Sequence, residues 1–173
     1  MKTLIKNGTV YIEGKLIKQD ILITDEIITR VDDVIKVKAD NEIDAEGLHV
    51  FPGFVDLHCH LRDPGQTYKE DIISGTKSAA KGGFTTICAM PNTDPVVDNI
   101  AAVEYVQRRA KDLGFCKVHV IGAITKKLEG AEISEVANMK EGGIIAVSDD
   151  GKCVQNAKLM LSCMKYATNF DIP

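Results

Sequence analysis

Two histidines separated by a single residue, His58 and His60, lie at the end of an apolar run and are followed by Arg62. Side chains alternate between the faces of an extended strand, so we expect both imidazoles on one face with Asp56 and Arg62, and Cys59 on the other, apolar face. Residues at i and i+2 start about 7 Å apart, and two imidazoles at that separation can reach one Zn²⁺ at about 2.0–2.1 Å each. The spacing therefore predicts a metal site, and the alternative is a pair of polar residues on a solvated face.

The sequence after residue 50 predicts four strands that each precede a helix. Apolar runs favour strands at about 53–60, 84–90, 118–122 and 144–148. Helical patterns favour helices at about 68–81, 99–113, 133–140 and 156–169. Regular alternation of this kind implies a parallel sheet, either doubly wound or closed as a β/α barrel. Four units are half of a (β/α)8 barrel, and because the chain stops where a fifth strand would start, we expect a truncated barrel.

Polar residues follow three of these four strands. The two histidines end the first strand, Asn92 follows the second, and Asp149 and Asp150 follow the fourth. The carboxyl ends of parallel strands meet at one edge of the sheet, where β/α proteins gather their chemistry. We therefore expect imidazole, amide and carboxylate groups on one rim, which strengthens the prediction of a metal site. Turn formation is the alternative for Asn92 beside Pro91 and for the two aspartates before Gly151.

Residues 1–50 predict a β-rich unit that is distinct from the β/α segment at 51–173. Short β-favouring runs alternate there with turn residues such as Asn7-Gly8, Glu13-Gly14 and Asp25-Glu26. This pattern is typical of a small antiparallel sheet. We therefore expect two domains, divided near residue 50.

Composition and charge exclude several classes of function. The 173 residues are 45% hydrophobic, enough to bury a core. The formal charge of −4, with 25 acidic and 21 basic residues and no basic cluster, argues against binding to nucleic acid or to a membrane surface. The sequence begins without a signal-peptide core, and its five cysteines are unclustered. These features predict a cytoplasmic protein with reduced thiols.

Four motifs carry a resemblance to a known family. They are His-x-His-Leu-Arg-Asp-Pro-Gly at 58–65, Lys-Gly-Gly-Phe-Thr-Thr at 81–86, Met-Pro-Asn-Thr at 90–93 and Ser-Asp-Asp-Gly at 148–151. Together they resemble the bacterial type I dihydroorotases of the amidohydrolase superfamily, over the whole chain. The resemblance implies a hydrolase that interconverts (S)-dihydroorotate and N-carbamoyl-L-aspartate in pyrimidine biosynthesis by metal-activated hydroxide. It also implies that residues 1–50 form part of a composite β-sandwich, completed by C-terminal residues.

The resemblance assigns roles to the motif residues and implies one or two Zn²⁺ ions as the cofactor. The implied metal ligands are His58, His60 and Asp150. The implied substrate-binding residues are His60, Arg62 and Asn92. Asp149 is the alternative bridging ligand, because a one-residue shift of the alignment exchanges the two aspartates. The general-base aspartate is expected beyond residue 173, so we expect this segment alone to be inactive.

Two other functions stay open at this point. A hydantoinase or allantoinase shares the histidine pair, but the related hydantoinases lack Arg62 and commonly have a carboxylated lysine where this chain has its aspartate pair. A non-catalytic dihydroorotase-like partner of aspartate transcarbamoylase typically lacks the metal ligands that this chain retains. The expected partner is the small-molecule substrate. The resemblance also leaves open a homo-oligomer and an association with aspartate transcarbamoylase.

The remaining polar residues have structural interpretations. Asp98 suits the N-cap of the second predicted helix. Asp56 could orient a histidine ring, or it could cap or accept a buried hydrogen bond. His49 and His119 have no ligand-type neighbours in the sequence and are expected to be structural.

Overall fold

The computed structural model describes residues 1–173. The chain divides into two compact units, Met1–Pro52 and Gly53–Pro173. None of the helices is long and apolar enough to cross a membrane.

The first unit is a five-stranded sheet. Its strands are β1 (Lys2–Ile12), β2 (Lys15–Thr24), β3 (Ile27–Asp32), β4 (Asn41–Asp44) and β5 (His49–Val50). The hydrogen-bonded order is β3-β2-β1-β4, and β5 also pairs with β1. The hairpins β1–β2 and β2–β3 are antiparallel as expected, but β4 and β5 run parallel to β1. The expectation of a purely antiparallel unit was therefore wrong.

The buried carboxylate of Asp20 stabilises two irregular backbone segments in this unit. The dipeptide Asn7-Gly8 forms no turn, because β1 continues through it with a shift in its register against β2. Asp20 accepts hydrogen bonds at 2.9 Å from the backbone N–H groups of Asn7 and Ile35. The first bond satisfies the irregular backbone of β1, and the second holds the segment that returns the chain from β3 to β4.

The second unit is a parallel sheet covered by helices. In chain order its elements are β6 (Phe54–Cys59), α1 (Ile72–Lys81), β7 (Phe84–Ala89), α2 (Ile100–Leu113), β8 (Lys117–Gly122), α3 (Val136–Glu141), β9 (Ala146–Val147) and α4 (Ala157–Thr168). The sheet order is β6-β7-β8-β9, and every neighbouring pair is parallel. Four consecutive β/α units are therefore confirmed, with the architecture of half a β/α barrel.

The core of the second unit lies between the sheet and its helices. Fully or nearly fully buried members of this core include Ile72, Ile87, Val103, Val106, Val120, Met139 and Ile144. They alternate along the strands and recur at helical spacing in α2, so each element buries one apolar face. The backbone N–H of Ile144 donates to Met139 O at the end of α3, so this residue is not part of β9, which is shorter than predicted.

The first strand of the sheet contains a bulge that the sequence pattern did not predict. Asp56 pairs with Ile87 and Cys59 with Ala89, so two residues of β6 lie opposite one residue of β7. Ile87 and Ala89 belong to the helix-facing core, and Asp56 and Cys59 therefore share that face. The expectation that Asp56 lies on the histidine face was wrong, because the bulge interrupts the alternation. Leu57, an apolar residue within this bulge, is 70% exposed at the edge strand.

Cys59 occupies the core as expected. Its side chain packs against the helix-facing cluster, and its thiol donates to the carbonyl oxygen of Cys88 at 3.3 Å. Burial raises the pKa of the Cys59 thiol to about 12. The thiol is thus protonated at neutral pH, whereas a thiolate would be needed for metal ligation.

Candidate metal centre

The candidate metal ligands come from opposite edges of the parallel sheet. His58 belongs to β6, His60 directly follows it, and Asp150 follows β9 at the other edge. Two strands separate these edges, so a flat sheet would keep the side chains apart. The twist and curl of the parallel sheet bring its strand ends together instead.

The three side chains converge on one point. Nε2 of His58 lies 3.3 Å from Oδ1 of Asp150, and Nε2 of His60 lies 3.5 Å from Oδ2 of the same carboxylate. One ligand atom from each residue lies within 4.8 Å of the other two. The imidazole rings meet edge to face, with their centroids 5.2 Å apart. The expected proximity of the two histidines and Asp150 is therefore present.

This donor set fits a divalent metal ion. Two imidazole nitrogens and one carboxylate oxygen form the combination in which proteins bind Zn²⁺, at distances of about 2.0–2.2 Å from the metal. The observed separations between donors require only small side-chain movements to reach such distances. Asp150 can contribute either oxygen, because each one faces a different histidine.

Asn92 links His60 to Asp150. Its Oδ1 lies 2.9 Å from Nδ1 of His60, and its Nδ2 donates to Oδ2 of Asp150 at 2.9 Å. An amide oxygen can only accept, so Nδ1 of His60 carries a proton. In the neutral ring, Nε2 then presents its lone pair towards the carboxylate, which is the state that a metal requires. Asn92 is thus more than a turn residue, and its role in binding substrate stays a prediction.

The two adjacent aspartates have different environments. Asp149 is 8% exposed and accepts from the backbone N–H groups of Ile124 and Thr125 at 2.8 and 3.0 Å. Its second oxygen accepts from the Thr125 hydroxyl. These three bonds tie the end of β9 to the loop after β8 and direct Asp149 away from the histidines. The geometry therefore favours Asp150 as the metal ligand.

Arg62 lies in the loop after β6, not in the strand as the alternation predicted. Its backbone has a left-handed φ of 59°, which is uncommon for a residue other than glycine. The carbonyl oxygen of Arg62 accepts from the N–H of Gln66 at 2.9 Å, which closes the loop. Arg62 as a residue is partly buried, and its side chain forms no ion pair within 4 Å.

A buried group next to this arginine was not predicted from the sequence. Asp63 is 2% exposed and contacts Tyr105 and Arg109, two residues of α2. Tyr105 and Arg109 are four residues apart and therefore lie on one face of the helix. This spacing was the only feature of the sequence that could have indicated a shared partner. His49 and His119 are exposed and lie outside the metal cluster.

Comparison with known proteins gives consistent results for sequence and structure. Residues 47–172 match the family model described as dihydro-orotase-like. A dihydroorotase of Ruminiclostridium cellulolyticum is 54% identical over 174 residues, which cover 99% of this chain and 41% of that protein. A dihydroorotase of Aquifex aeolicus is 44% identical, covering 100% of this chain and 42% of the relative. The chain thus spans about two fifths of the length of these relatives.

Solved structures of hydantoinases share the fold. The L-hydantoinase from Arthrobacter aurescens superposes with a TM-score of 0.81 at 23% identity, over 97% of this chain and 38% of its own. A D-hydantoinase gives a TM-score of 0.79 at 26% identity, over 99% and 39%. These structures support the half-barrel architecture, and the family match covers most of the sequence. The chain belongs to the dihydroorotase-like family.

Proposed function

We propose that this chain provides the metal-binding and carboxylate-recognising part of a dihydroorotase, which interconverts (S)-dihydroorotate and N-carbamoyl-L-aspartate. The observation that carries the proposal is the convergence of His58, His60 and Asp150 at the strand ends, with Asn92 joining two of them. The dihydroorotase-like family match and the identity of 54% to the R. cellulolyticum protein support the choice of reaction.

Zn²⁺ is the proposed cofactor, with one or two ions per complete barrel. His58 and His60 would each offer Nε2, and Asp150 would offer one or both carboxylate oxygens. When bound, zinc supplies Lewis acidity that lowers the pKa of a coordinated water and polarises an amide carbonyl. Asn92, whose Oδ1 accepts from Nδ1 of His60, would leave the Nε2 lone pair of that ring free to bind the ion.

Arg62 is the proposed recognition group for the substrate carboxylate. A guanidinium presents two parallel N–H donors that match the two oxygens of a carboxylate. Such charge-assisted hydrogen bonds contribute about 1.5–3 kcal/mol each. We also propose that His60 and Asn92 contact the substrate, and their position beside the proposed metal supports this role.

Activity is proposed for a protein that supplies the rest of the barrel, since the relatives are more than twice as long as this chain. Both rim aspartates are engaged, Asp149 in backbone contacts and Asp150 with the histidines. We therefore infer that the general base comes from outside residues 1–173. A cytoplasmic location, a homo-oligomer and an association with aspartate transcarbamoylase stay predictions, which cell fractionation and co-elution would test.

The test uses this chain continued by the remaining C-terminal residues of the R. cellulolyticum relative, hereafter the extended protein. Arg62→Lys should keep its zinc content and lower kcat/KM for dihydroorotate about 10- to 100-fold. The reason is that the lysine ammonium group keeps the positive charge but lacks the planar fork, so one of the two hydrogen bonds to the carboxylate is lost. His58→Ala should remove zinc and turnover together. Arg108→Lys, a substitution at an exposed arginine of α2, is the matched control and should change neither.

A hydantoinase-type cyclic amidohydrolase is the second candidate, favoured by the hydantoinases among the structural neighbours. Hydantoin presents no carboxylate, so its turnover should not respond to Arg62→Lys. Faster turnover of hydantoin than of dihydroorotate, with dihydroorotate kinetics unchanged in Arg62→Lys, would replace the dihydroorotase proposal with this one. Absence of zinc and of all turnover would instead indicate a non-catalytic homologue.

A further inference from the structure

An ionic cluster with a buried carboxylate at its centre begins at Asp63, the residue after Arg62. The carboxylate of Asp63 is almost completely buried, with 1% of its side chain exposed. The hydroxyl of Tyr105 donates to its Oδ1 at 2.9 Å, and Nη2 of Arg109 lies 3.5 Å from its Oδ2. Both partners belong to α2, one turn apart. The cluster therefore joins the loop after β6 to α2, the helix that follows β7 in the chain.

Burial of the Asp63 carboxylate lowers the stability of the fold, because the charge is removed from water. Arg109 and Tyr105 are 38% and 42% exposed, so the desolvation cost falls mainly on Asp63. Oδ2 of Asp63 is buried and has no hydrogen-bond partner to compensate that cost. Apolar side chains of similar volume at such a site are often neutral or stabilising. A cost of this kind in a well-packed unit points to a role in placing a neighbouring group.

The neighbouring group is Arg62, whose backbone is held from two sides. On one side, the Pro64 carbonyl oxygen accepts from the N–H of Asp94 at 3.1 Å, and a Cβ on Gly65 would lie 1.7 Å from the Asp94 carbonyl oxygen. On the other side, Asp63 is anchored to α2. Arg62, which has a left-handed backbone, directly precedes Asp63 in the chain. Its carbonyl oxygen accepts a hydrogen bond from the N–H of Gln66.

We propose that Tyr105 and Arg109, acting through Asp63, are positioning residues that hold Arg62 in the orientation in which its guanidinium receives the substrate carboxylate. This inference rests on the proposed function, because it assigns the specificity of that site to two residues of α2. Neither residue touches the metal cluster. Their effect is therefore expected on recognition of the carboxylate and not on metal content.

The kinetic test compares variants of the extended protein. Tyr105→Phe and Arg109→Met should each raise KM for dihydroorotate about threefold or more, with zinc content and kcat unchanged, because carboxylate binding is weakened equally in the ground and transition states. Tyr68→Phe and Arg108→Met are the matched controls, since both residues are exposed and outside the cluster. A fall in thermal stability with unchanged KM would overturn the proposal and leave the cluster a purely structural role.

A double-mutant cycle tests whether the effect passes through Arg62. In the Arg62→Lys background, Tyr105→Phe should have little further effect on KM, because the fork that Tyr105 helps to place is already absent. Effects that multiply independently would show that Tyr105 acts by another route and would refute the proposal. Absence of dihydroorotate turnover in the unsubstituted extended protein is a different outcome, and it refutes the proposed function itself.

Hydrogen exchange on this chain alone gives a readout that needs no activity. The N–H of Gln66 donates to the Arg62 carbonyl, so its exchange rate reports the geometry of the loop. Tyr105→Phe should accelerate this exchange about threefold or more and leave Leu159, in the first turn of α4, unchanged. Equal rates in the parent and the variant would contradict the proposal, whatever the kinetics of the extended protein.

Discussion

Asp149 and Asp150 are adjacent, yet substitution of each by asparagine should have opposite consequences. Asp149→Asn should destabilise the fold and largely spare zinc binding. Asp150→Asn should spare the fold and weaken zinc binding. The reason is that Asp149 directs its carboxylate to the backbone of the β8 loop, whereas Asp150 directs its carboxylate to the two histidines.

The magnitudes follow from the contacts of each carboxylate. In Asp149→Asn the two backbone N–H groups keep an oxygen acceptor, but the Thr125 hydroxyl faces an NH₂ group and the charge is lost. Loss of one charge-assisted bond and weakening of two others should cost about 2–3 kcal/mol. For a chain of this size the melting temperature should fall by about 5–10 °C. Asp150→Asn should change it by less than about 3 °C, because that side chain is partly solvated.

Zinc affinity should show the reverse order. Asp150→Asn removes an anionic ligand, and we expect the zinc affinity to fall about 100-fold or more. Loss of a residue that only hydrogen-bonds to a metal ligand already lowers metal affinity about 10- to 100-fold. Asp149→Asn should lose less than about tenfold when it is assayed well below its melting temperature.

Both quantities can be measured on this chain alone. Competition with a chromophoric chelator gives the zinc affinity, and circular dichroism at increasing temperature gives the melting temperature. Full zinc affinity in Asp150→Asn together with its loss in Asp149→Asn would refute the assignment and exchange the roles of the two carboxylates. Loss of affinity in both variants at a temperature where both are folded would show that the geometry does not separate them.

Three further outcomes can be checked. Gly65→Ala should lower the melting temperature far more than Gly14→Ala, because both glycines have left-handed backbones but only Gly65 contacts a facing loop; equal shifts would contradict this. Asn99→Ala should reduce the free energy of unfolding in urea by about 1 kcal/mol, since α2 loses its N-cap, and an unchanged midpoint would argue against that cap. Iodoacetamide at pH 8 should modify the exposed Cys153 before the buried Cys163, because burial raises the pKa of Cys163 and keeps its thiol protonated. Mass spectrometry gives the order of modification, and the opposite order would refute this prediction.

The rim of the candidate site was predictable because it depends on topology. Once β/α alternation is recognised, every strand end falls on the same edge, and a sheet that curls as in a barrel brings His60, Asn92 and Asp150 together. The choice between Asp149 and Asp150 was not predictable from the residues alone. It depends on which carboxylate meets the N–H groups of the β8 loop, a contact between segments about 25 residues apart.

Local irregularities explain the other failures of the sequence pattern. The bulge between Asp56 and Cys59 is a property of the pairing of two strands, and the residues of β6 alone do not encode it. Asp98 and Asn99 are both good N-cap residues, so composition could not separate them. Asn99 caps α2, because the Asp98 carboxylate accepts from the N–H of Lys127 in a distant loop.

The close approach of Gly65 to Asp94 has a consequence for protein engineering. The loops that follow β6 and β7 interlock without room for a methyl group between them. Neither can be lengthened, replaced or grafted from a relative as an independent module. Attempts to change substrate preference in this family should therefore exchange the two loops as a pair, taking both from one donor.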